Sequence, residues 1–138
     1  MPIIDASVYV ALIKETESEH ANAREWIREA SAGNETLAAP TIFVAEVAAA
    51  ISRGLGNRAL ARSVSDHLAE SGLIELLPVT EALAGRAASI SADHKIRGCD
   101  AIYVALAERL DDHLVSLDNQ QLDRGAAVVE TRRPRKNS

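Results

Sequence analysis

The stretch Cys99-Asp100-Ala101-Ile102-Tyr103-Val104-Ala105-Leu106-Ala107 decides the fold. One acidic residue, Asp100, opens a helix that is otherwise almost wholly apolar, and such helices are usually buried. We therefore expect Asp100 at the N-terminus of a buried helix, on the rim of the core. A carboxylate is costly to desolvate there unless it has a hydrogen-bond partner, a counter-charge or a metal ion. Asp is also a preferred N-cap, so a cap alone would explain this residue.

Short apolar segments alternate with helical patterns along the rest of the chain, which predicts an α/β fold with a central parallel sheet covered by helices on both faces. The predicted strands are 2–4, 37–39, 74–77, 113–117 and 126–129. The predicted helices are 7–13, 20–32, 41–53, 57–71 and 80–93, in addition to the helix at Asp100. A chain of 138 residues is long enough for one domain with a real core. We place this domain at 1–130.

Charge is distributed unevenly along the chain. The formal net charge is −5, but the last eight residues carry four basic groups and no acid, namely Arg132, Arg133, Arg135 and Lys136. The part up to Glu130 therefore has 11 basic and 20 acidic residues, a net charge of −9. Such an acidic body should not attract nucleic acid by bulk electrostatics, so nucleic-acid chemistry would need local basic patches or bound cations. The tail 131–138 is expected to be a disordered end, with an RNA-contacting arm as the alternative.

The single cysteine, Cys99, excludes an internal disulfide and fits a reducing compartment. The chain begins without the basic and apolar pattern of a signal peptide, and no stretch approaches the roughly 20 apolar residues of a membrane span. These features predict a soluble, cytoplasmic protein with no membrane association.

Four acidic residues follow or interrupt apolar segments. Asp5 and Asp118 follow predicted strands, and Glu46 stands in a helix whose positions three and four residues away are apolar. With Asp100 they make a set of four. Each has a plain structural explanation: a helix cap by Asp5 or Ser7, a turn at Asp118, and a partly exposed Glu46. If Asp5 and Asp118 end neighbouring strands at a topological switch point, however, their side chains share one crevice.

Four carboxylates in one crevice point to a hard divalent cation. Like charges raise one another's pKa values, and Mg²⁺ or Mn²⁺ relieves the repulsion because these ions prefer carboxylate and water oxygens. A soft-metal site is disfavoured by the one cysteine and by four histidines without paired spacing. The motifs of serine hydrolases, Walker nucleotide sites and dinucleotide-binding folds are missing. An acid-only site suits in-line phosphoryl chemistry by metal-activated water.

The chain resembles PIN-domain ribonucleases, and most of all the VapC toxins of bacterial type II toxin–antitoxin systems. The resemblance covers residues 1 to about 129. Its most specific part is Asp-Ala-x-Tyr-x-Ala-Leu-Ala. It rests on four motifs: Ile4-Asp5-Ala6-Ser7, Val44-Ala45-Glu46-Val47, Gly98 to Ala107, and Leu117-Asp118.

The resemblance implies a three-layer α/β/α fold and Mg²⁺- or Mn²⁺-dependent endonuclease action on RNA. It implies that Asp5, Glu46, Asp100 and Asp118 are the acids of the metal site and that Ser7 lies beside it. Our hypothesis is that Asp5 and Asp100 carry the principal metal contacts, while Glu46 and Asp118 position the ion or its water. The resemblance further implies a homodimer, inhibited by a cognate antitoxin whose tail covers the site.

Other polar residues lie next to the four acids in the sequence. Lys95 and Arg97 precede Asp100 and are candidates for a phosphate contact, the alternative being simple surface solvation. Some PIN domains carry a further polar or acidic residue after the fourth acid. Here that region offers Asn119, Gln120, Gln121 and Asp123, and the resemblance does not choose among them.

Two other functions remain open at this point. The chain could be a degenerate PIN domain that only binds a partner, which the complete set of four acids argues against. It could instead be an aspartyl-phosphate phosphatase of the haloacid dehalogenase type with Asp5 as nucleophile. Those enzymes usually need a second Asp two positions on, where this chain has Ser7.

Overall fold

The central sheet positions the acidic residues. The computed structural model describes residues 1–135, and within them the strands are β1 (Ile3–Ile4), β2 (Leu37–Pro40), β3 (Ile74–Leu77), β4 (Leu114–Val115) and β5 (Thr131–Arg132). All neighbouring strands are parallel, in the order β3-β2-β1-β4-β5. The chain builds outward from β1 to β3 and then returns to the other side of β1 for β4. The strand order therefore reverses between β1 and β4, and this switch point forms a crevice at the carboxyl ends of the two strands.

Helices connect the strands and complete the α/β/α fold, which confirms the predicted fold class. They pack in pairs, with α1 on α2, α3 on α4 and α5 on α6. Their bounds are α1 (Ala6–Ile13), α2 (His20–Ala32), α3 (Ile42–Leu55), α4 (Arg58–Glu70), α5 (Glu81–His94), α6 (Gly98–Arg109) and α7 (Asn119–Gly125).

Helix α6 lies in the core, as its apolar sequence predicted. Tyr103, Val104 and Ala107 are fully buried, and α6 contacts both β1 and β2. The core is mainly aliphatic, and its few aromatic rings include Tyr9 and Phe43, which meet edge to face with centroids 5.9 Å apart. Within residues 1–135, no helix combines the length and the apolar character needed to cross a membrane.

The last strand differs from the sequence-based expectation. Residues 126–129 were predicted to be a strand, but they form turns, with the Val128 and Val129 amides both bonded to the Gly125 carbonyl. The preceding residues form α7, which the sequence did not predict, and the strand is displaced to Thr131–Arg132. Val128 and Val129 still pack against the core from the turn, which explains their apolar character.

The sheet also extends past the boundary expected at residue 130. The Ser116 amide donates to the Arg132 carbonyl at 3.0 Å, and Pro134 is buried. The expectation of a disordered tail starting at Thr131 is therefore wrong for Thr131 and Arg132, because both pair with β4. Lys136, also assigned to that tail, lies outside the described residues.

Candidate active site

Asp5 directly follows β1 and Asp118 lies three residues beyond β4, and each caps the helix that follows. Asp5 Oδ2 accepts the Ser7 amide at 3.0 Å as the N-cap of α1. Asp118 Oδ1 accepts the Gln121 amide at 2.9 Å as the N-cap of α7. Because β1 and β4 are neighbours, both carboxylates lie at the carboxyl edge of the sheet, as the sequence predicted.

Asp100 and Glu46 reach the same edge from helices. Asp100 lies in the first turn of α6, where Arg97 holds the N-cap position, so the N-cap explanation of Asp100 is wrong. Only 9% of Asp100 is exposed. Glu46 lies in α3 and is half-buried, and its Oε1 accepts a 2.5 Å hydrogen bond from the hydroxyl of fully buried Tyr103. This bond ties the candidate site to both α3 and α6.

The four acids line one cleft, together with Ser7. The cleft has a volume of about 470 Å³ and is also lined by Arg97 and Glu17. The structure therefore brings together all four carboxylates that the sequence singled out. Lys95 does not line the cleft. It forms the left-handed C-cap of α5, and its carbonyl accepts a hydrogen bond from Arg124.

Arg97 bridges two of the four carboxylates. Its Nε donates to Asp100 Oδ2 at 3.0 Å, and its Nη2 donates to Asp118 Oδ2 at 2.9 Å. The charge of Asp100 is the largest cause of a raised Arg97 pKa, followed by the hydrogen bond to Asp100 and the charge of Asp118. The Arg97 side chain is 68% exposed, so this bridge lies on the solvent side of the cleft and is not held by packing.

Three of the carboxyl groups bind protons more tightly than usual. Burial raises the pKa of Asp5, and it does so by more than hydrogen bonds from Ser7 and Gln121 lower it. Burial is also the largest cause of the raised pKa values of Glu46 and Asp100, and the charge of Asp5 adds to both. Anionic groups that are both buried and mutually repelling form an electrostatic environment that favours a bound cation.

A buried polar network supports the cleft from below, and sequence reasoning missed it. Gln121 is 1% exposed, its Oε1 accepts the Ser116 hydroxyl at 2.6 Å, and its Nε2 donates to the Asp100 carbonyl at 3.3 Å. The Ser116 hydroxyl also accepts the Asp118 amide at 3.0 Å. Gln121 was only one of several polar candidates after Asp118, and no pattern in the sequence marks it as buried.

Ser7 and Glu17 complete the cleft wall. The Ser7 hydroxyl accepts the Leu117 amide at 3.0 Å, which links α1 to the segment after β4. Ser7 thus has a structural contact of its own beside the site. Glu17 adds a fifth carboxylate to the lining, from the polar connection between α1 and α2, where a run of acids gave no reason to select it.

The donor set of the cleft suits a hard divalent cation, although the side chains are not yet arranged around one. Within residues 1–135, no group of three or more His, Cys, Asp or Glu side chains stands ready to hold a metal ion. Arg97 holds Asp100 and Asp118, and Tyr103 holds Glu46. Carboxylate oxygens are nevertheless the ligands that Mg²⁺ and Mn²⁺ prefer, and burial raises the pKa values of Asp5, Glu46 and Asp100.

Fold and cleft together define an open, parallel α/β domain with an acidic cleft at the carboxyl edge of its sheet. The PIN domain family model matches residues 3–127, and the chain belongs to the PIN domain family. This membership removes the support for the phosphatase alternative.

Solved structures share the fold over nearly their whole length. VapC20 from Mycobacterium tuberculosis, a toxin that cleaves the sarcin–ricin loop, is 19% identical with a TM-score of 0.75, covering 92% of this chain and 95% of that one. FitAcB from Neisseria gonorrhoeae is 20% identical with a TM-score of 0.70, covering 97% and 98%. A toxin–antitoxin complex from Klebsiella pneumoniae is 14% identical with a TM-score of 0.69, covering 99% and 100%. No curated protein matches the chain.

Proposed function

We propose that this protein is a metal-dependent endoribonuclease that acts in the cytoplasm as the toxin of a toxin–antitoxin pair. The observation that carries the proposal is the cleft in which Asp5, Glu46, Asp100 and Asp118 meet, three of them with raised pKa values. Membership in the PIN domain family and the likeness to VapC20 support RNA as the substrate. The likeness to toxin–antitoxin complexes supports a cognate antitoxin as partner, and a homodimer is proposed on the family resemblance.

The carboxylates divide into two roles. Asp5 and Asp100, the two most buried, would hold Mg²⁺ or Mn²⁺, and Glu46 and Asp118 would orient the ion or the attacking water. The ion, when bound, supplies Lewis-acid activation of water and neutralises charge on the scissile phosphate. Tyr103 fixes the direction of the Glu46 carboxylate, and Gln121 fixes the backbone of Asp100, so both act as positioning residues.

Arg97 neutralises Asp100 and Asp118 and is the cation of this cleft. Its exposed side chain can turn outward to the mouth of the cleft, where a substrate phosphate would lie. We therefore assign the phosphate contact to Arg97 and not to Lys95, which lies away from the lining.

The test is cleavage of a mixed tRNA and rRNA pool by the purified protein with Mg²⁺, with Mn²⁺ and with EDTA. Asp100→Asn removes one carboxylate charge from the cleft, and Asp66→Asn makes the same change on the exposed surface of α4. We expect discrete fragments that require metal, a loss of at least about 100-fold in Asp100→Asn, and no change in Asp66→Asn. Calorimetric titration with Mn²⁺ gives a second readout that does not depend on finding the target RNA.

Two outcomes would contradict the proposal. Full cleavage by Asp100→Asn would mean that the chemistry lies elsewhere. Absence of both cleavage and Mn²⁺ binding at millimolar concentration would favour a degenerate PIN domain that binds a partner through the Arg97-bridged cleft.

A further inference from the structure

A second and larger cavity lies beside the catalytic cleft. It has a volume of about 680 Å³, against about 470 Å³ for the cleft. We call it the arginine groove and define it by Trp26, Asn119, Leu122, Arg132, Arg133 and Arg135. The proposed function uses none of these residues.

Helix α7 separates the two cavities. Its N-cap, Asp118, lines the cleft, and the next residue, Asn119, lines the groove. Leu122, one turn further on the same helical face, also lines the groove, whereas Gln121 bonds beneath the cleft. A polymer lying in the catalytic cleft therefore reaches the groove by passing the N-terminus of α7.

The groove is basic on a molecule that is otherwise acidic. Arg132, Arg133 and Arg135 line it against one acid, Asp123, while the chain up to Glu130 carries −9. Arg132 pairs with Glu130 at 2.9 Å, but Arg133 is hydrogen-bonded only to the neutral Asn119 side chain among the described residues.

The backbone that carries the arginines is anchored at one buried residue. Pro134, between Arg133 and Arg135, is buried, so the two guanidinium groups flank an anchored residue. A residue before proline is confined to extended backbone, which restricts Arg133 further. Positive charge is thus presented by the segment that directly follows β5 and is anchored at Pro134.

Trp26 gives the groove an aromatic surface. It is half-buried, packs against the core from α2 and also lines the groove. Basic side chains combined with an aromatic ring are the usual means of binding single-stranded RNA, because every base has a face that stacks on an aromatic ring.

We propose that the arginine groove binds the single-stranded RNA that flanks the scissile phosphate, with its phosphates on Arg133 and Arg135 and a base on Trp26. This inference rests on the proposed ribonuclease function. It explains how a body with a charge of −9 holds a polyanion, because bulk electrostatics would repel it. An acidic protein segment could also meet the arginines, but it would make no use of an aromatic surface that lies next to the cleft.

The first test uses the native protein and needs no variant. Trp26 is the chain's only tryptophan, so its fluorescence reports the groove alone. We titrate a single-stranded RNA of about 12 nucleotides in EDTA, which prevents cleavage, and expect saturable quenching. Binding of the same RNA, followed by the anisotropy of a fluorescent label, should give the same Kd.

The second test removes charge from the groove. Each phosphate contact adds about 0.7 to the slope of log Kd against log salt in single strands, so the double variant Arg133→Gln/Arg135→Gln should lose about 1.4 from the slope. At about 0.1 M salt this corresponds to roughly 25-fold weaker binding. The matched control Arg58→Gln/Arg62→Gln removes two charges from the exposed surface of α4 and should leave the slope unchanged.

The outcomes separate this inference from the proposed function. The groove does not bind RNA if the salt slope of RNA binding is unchanged in the groove variant, or if RNA binding leaves Trp26 fluorescence unchanged. Either result overturns the inference even if the protein cleaves RNA. If the groove variant keeps the salt slope of the parent protein for RNA but loses binding to the antitoxin, the groove binds an acidic protein segment. That result also overturns the inference. Quenching of Trp26 fluorescence together with the expected loss of salt slope supports RNA binding in the groove, even if no cleavage is found.

Discussion

The hydrogen bond from Tyr103 to Glu46 offers a sharp test of how the site is held. Tyr103→Phe removes the hydroxyl from a fully buried ring and leaves its packing almost unchanged. A hydrogen bond to a charged group contributes about 1.5–3 kcal/mol. Glu46 is half-buried in an open cleft and regains some hydration, so we expect a loss of about 1.5 kcal/mol in the free energy of unfolding. For a domain of this size that is a drop of about 6 °C in Tm.

The same variant should affect the chemistry. The Tyr103 hydrogen bond lowers the pKa of Glu46 against the larger effect of burial, so its loss raises that pKa further and frees the carboxylate to rotate. If Glu46 positions the ion or its water, cleavage should fall by about 10-fold or more.

Tyr9→Phe is the matched control for this measurement. Tyr9 is 6% exposed, its ring packs on Phe43, and among the described residues its hydroxyl has no hydrogen-bond partner. Urea denaturation of both variants in EDTA should place Tyr9→Phe within about 0.5 kcal/mol of the parent protein. The reasoning fails if Tyr103→Phe is no less stable than Tyr9→Phe, because the hydrogen bond would then contribute nothing measurable.

Three further changes have a defined sign. Asp5→Asn should abolish metal-dependent cleavage. In EDTA it should raise Tm by a few degrees, because it removes a buried charge and keeps the oxygen that caps α1. A lower Tm in thermal melting would contradict this. Gly54→Ala should raise the free energy of unfolding by about 0.5 kcal/mol, because the position is helical and has space for the added Cβ. Gly56→Ala should lower it by about 1 kcal/mol, because Gly56 has a left-handed backbone with φ +60. Equal urea midpoints for the two variants would refute the contrast. The Arg86 hydrogen bond lowers the pKa of Glu108, so its small stabilisation exists above the unfolded pKa and is lost as the pH falls through the folded pKa. Glu108→Gln should therefore have a slightly lower urea midpoint than the parent at neutral pH and an equal one near pH ~3, and a difference that grows on acidification would disprove it.

The sheet was largely predictable, but its last part was not. Residues 126–129 are an apolar run that predicts a strand, whereas β5 is formed by the polar pair Thr131–Arg132. The position of β5 depends on hydrogen bonds to β4, for example from the Leu114 amide to the Glu130 carbonyl. Helix α7 contains only one apolar residue, Leu122, so no helical periodicity marks it. Its N-cap and the buried Gln121 hold it in place, and both contacts depend on tertiary structure.

The four candidate acids could be singled out because each one follows or interrupts an apolar segment. Their partners were not predictable, because they depend on how elements cross. Tyr103 reads as one more core residue in an apolar helix, and only the approach of α3 to α6 brings its hydroxyl to Glu46. Arg97 was only a candidate for a phosphate contact, with surface solvation as the alternative, and its contact with Asp118 spans 21 residues of sequence.

The capping and metal-site explanations of the strand-end acids are not alternatives, because a carboxylate has two oxygens. Asp118 caps α7 with Oδ1 and meets Arg97 with Oδ2, so one oxygen anchors the side chain and the other faces the cleft. Asp5 uses Oδ2 as the cap of α1 in the same way. A helix cap fixes the χ angles of a short acid at no cost to its second oxygen. An acidic helix cap shortly after a strand therefore aims a carboxylate at the switch point, and two adjacent units of this kind, β1–α1 and β4–α7, are enough to make the crevice acidic.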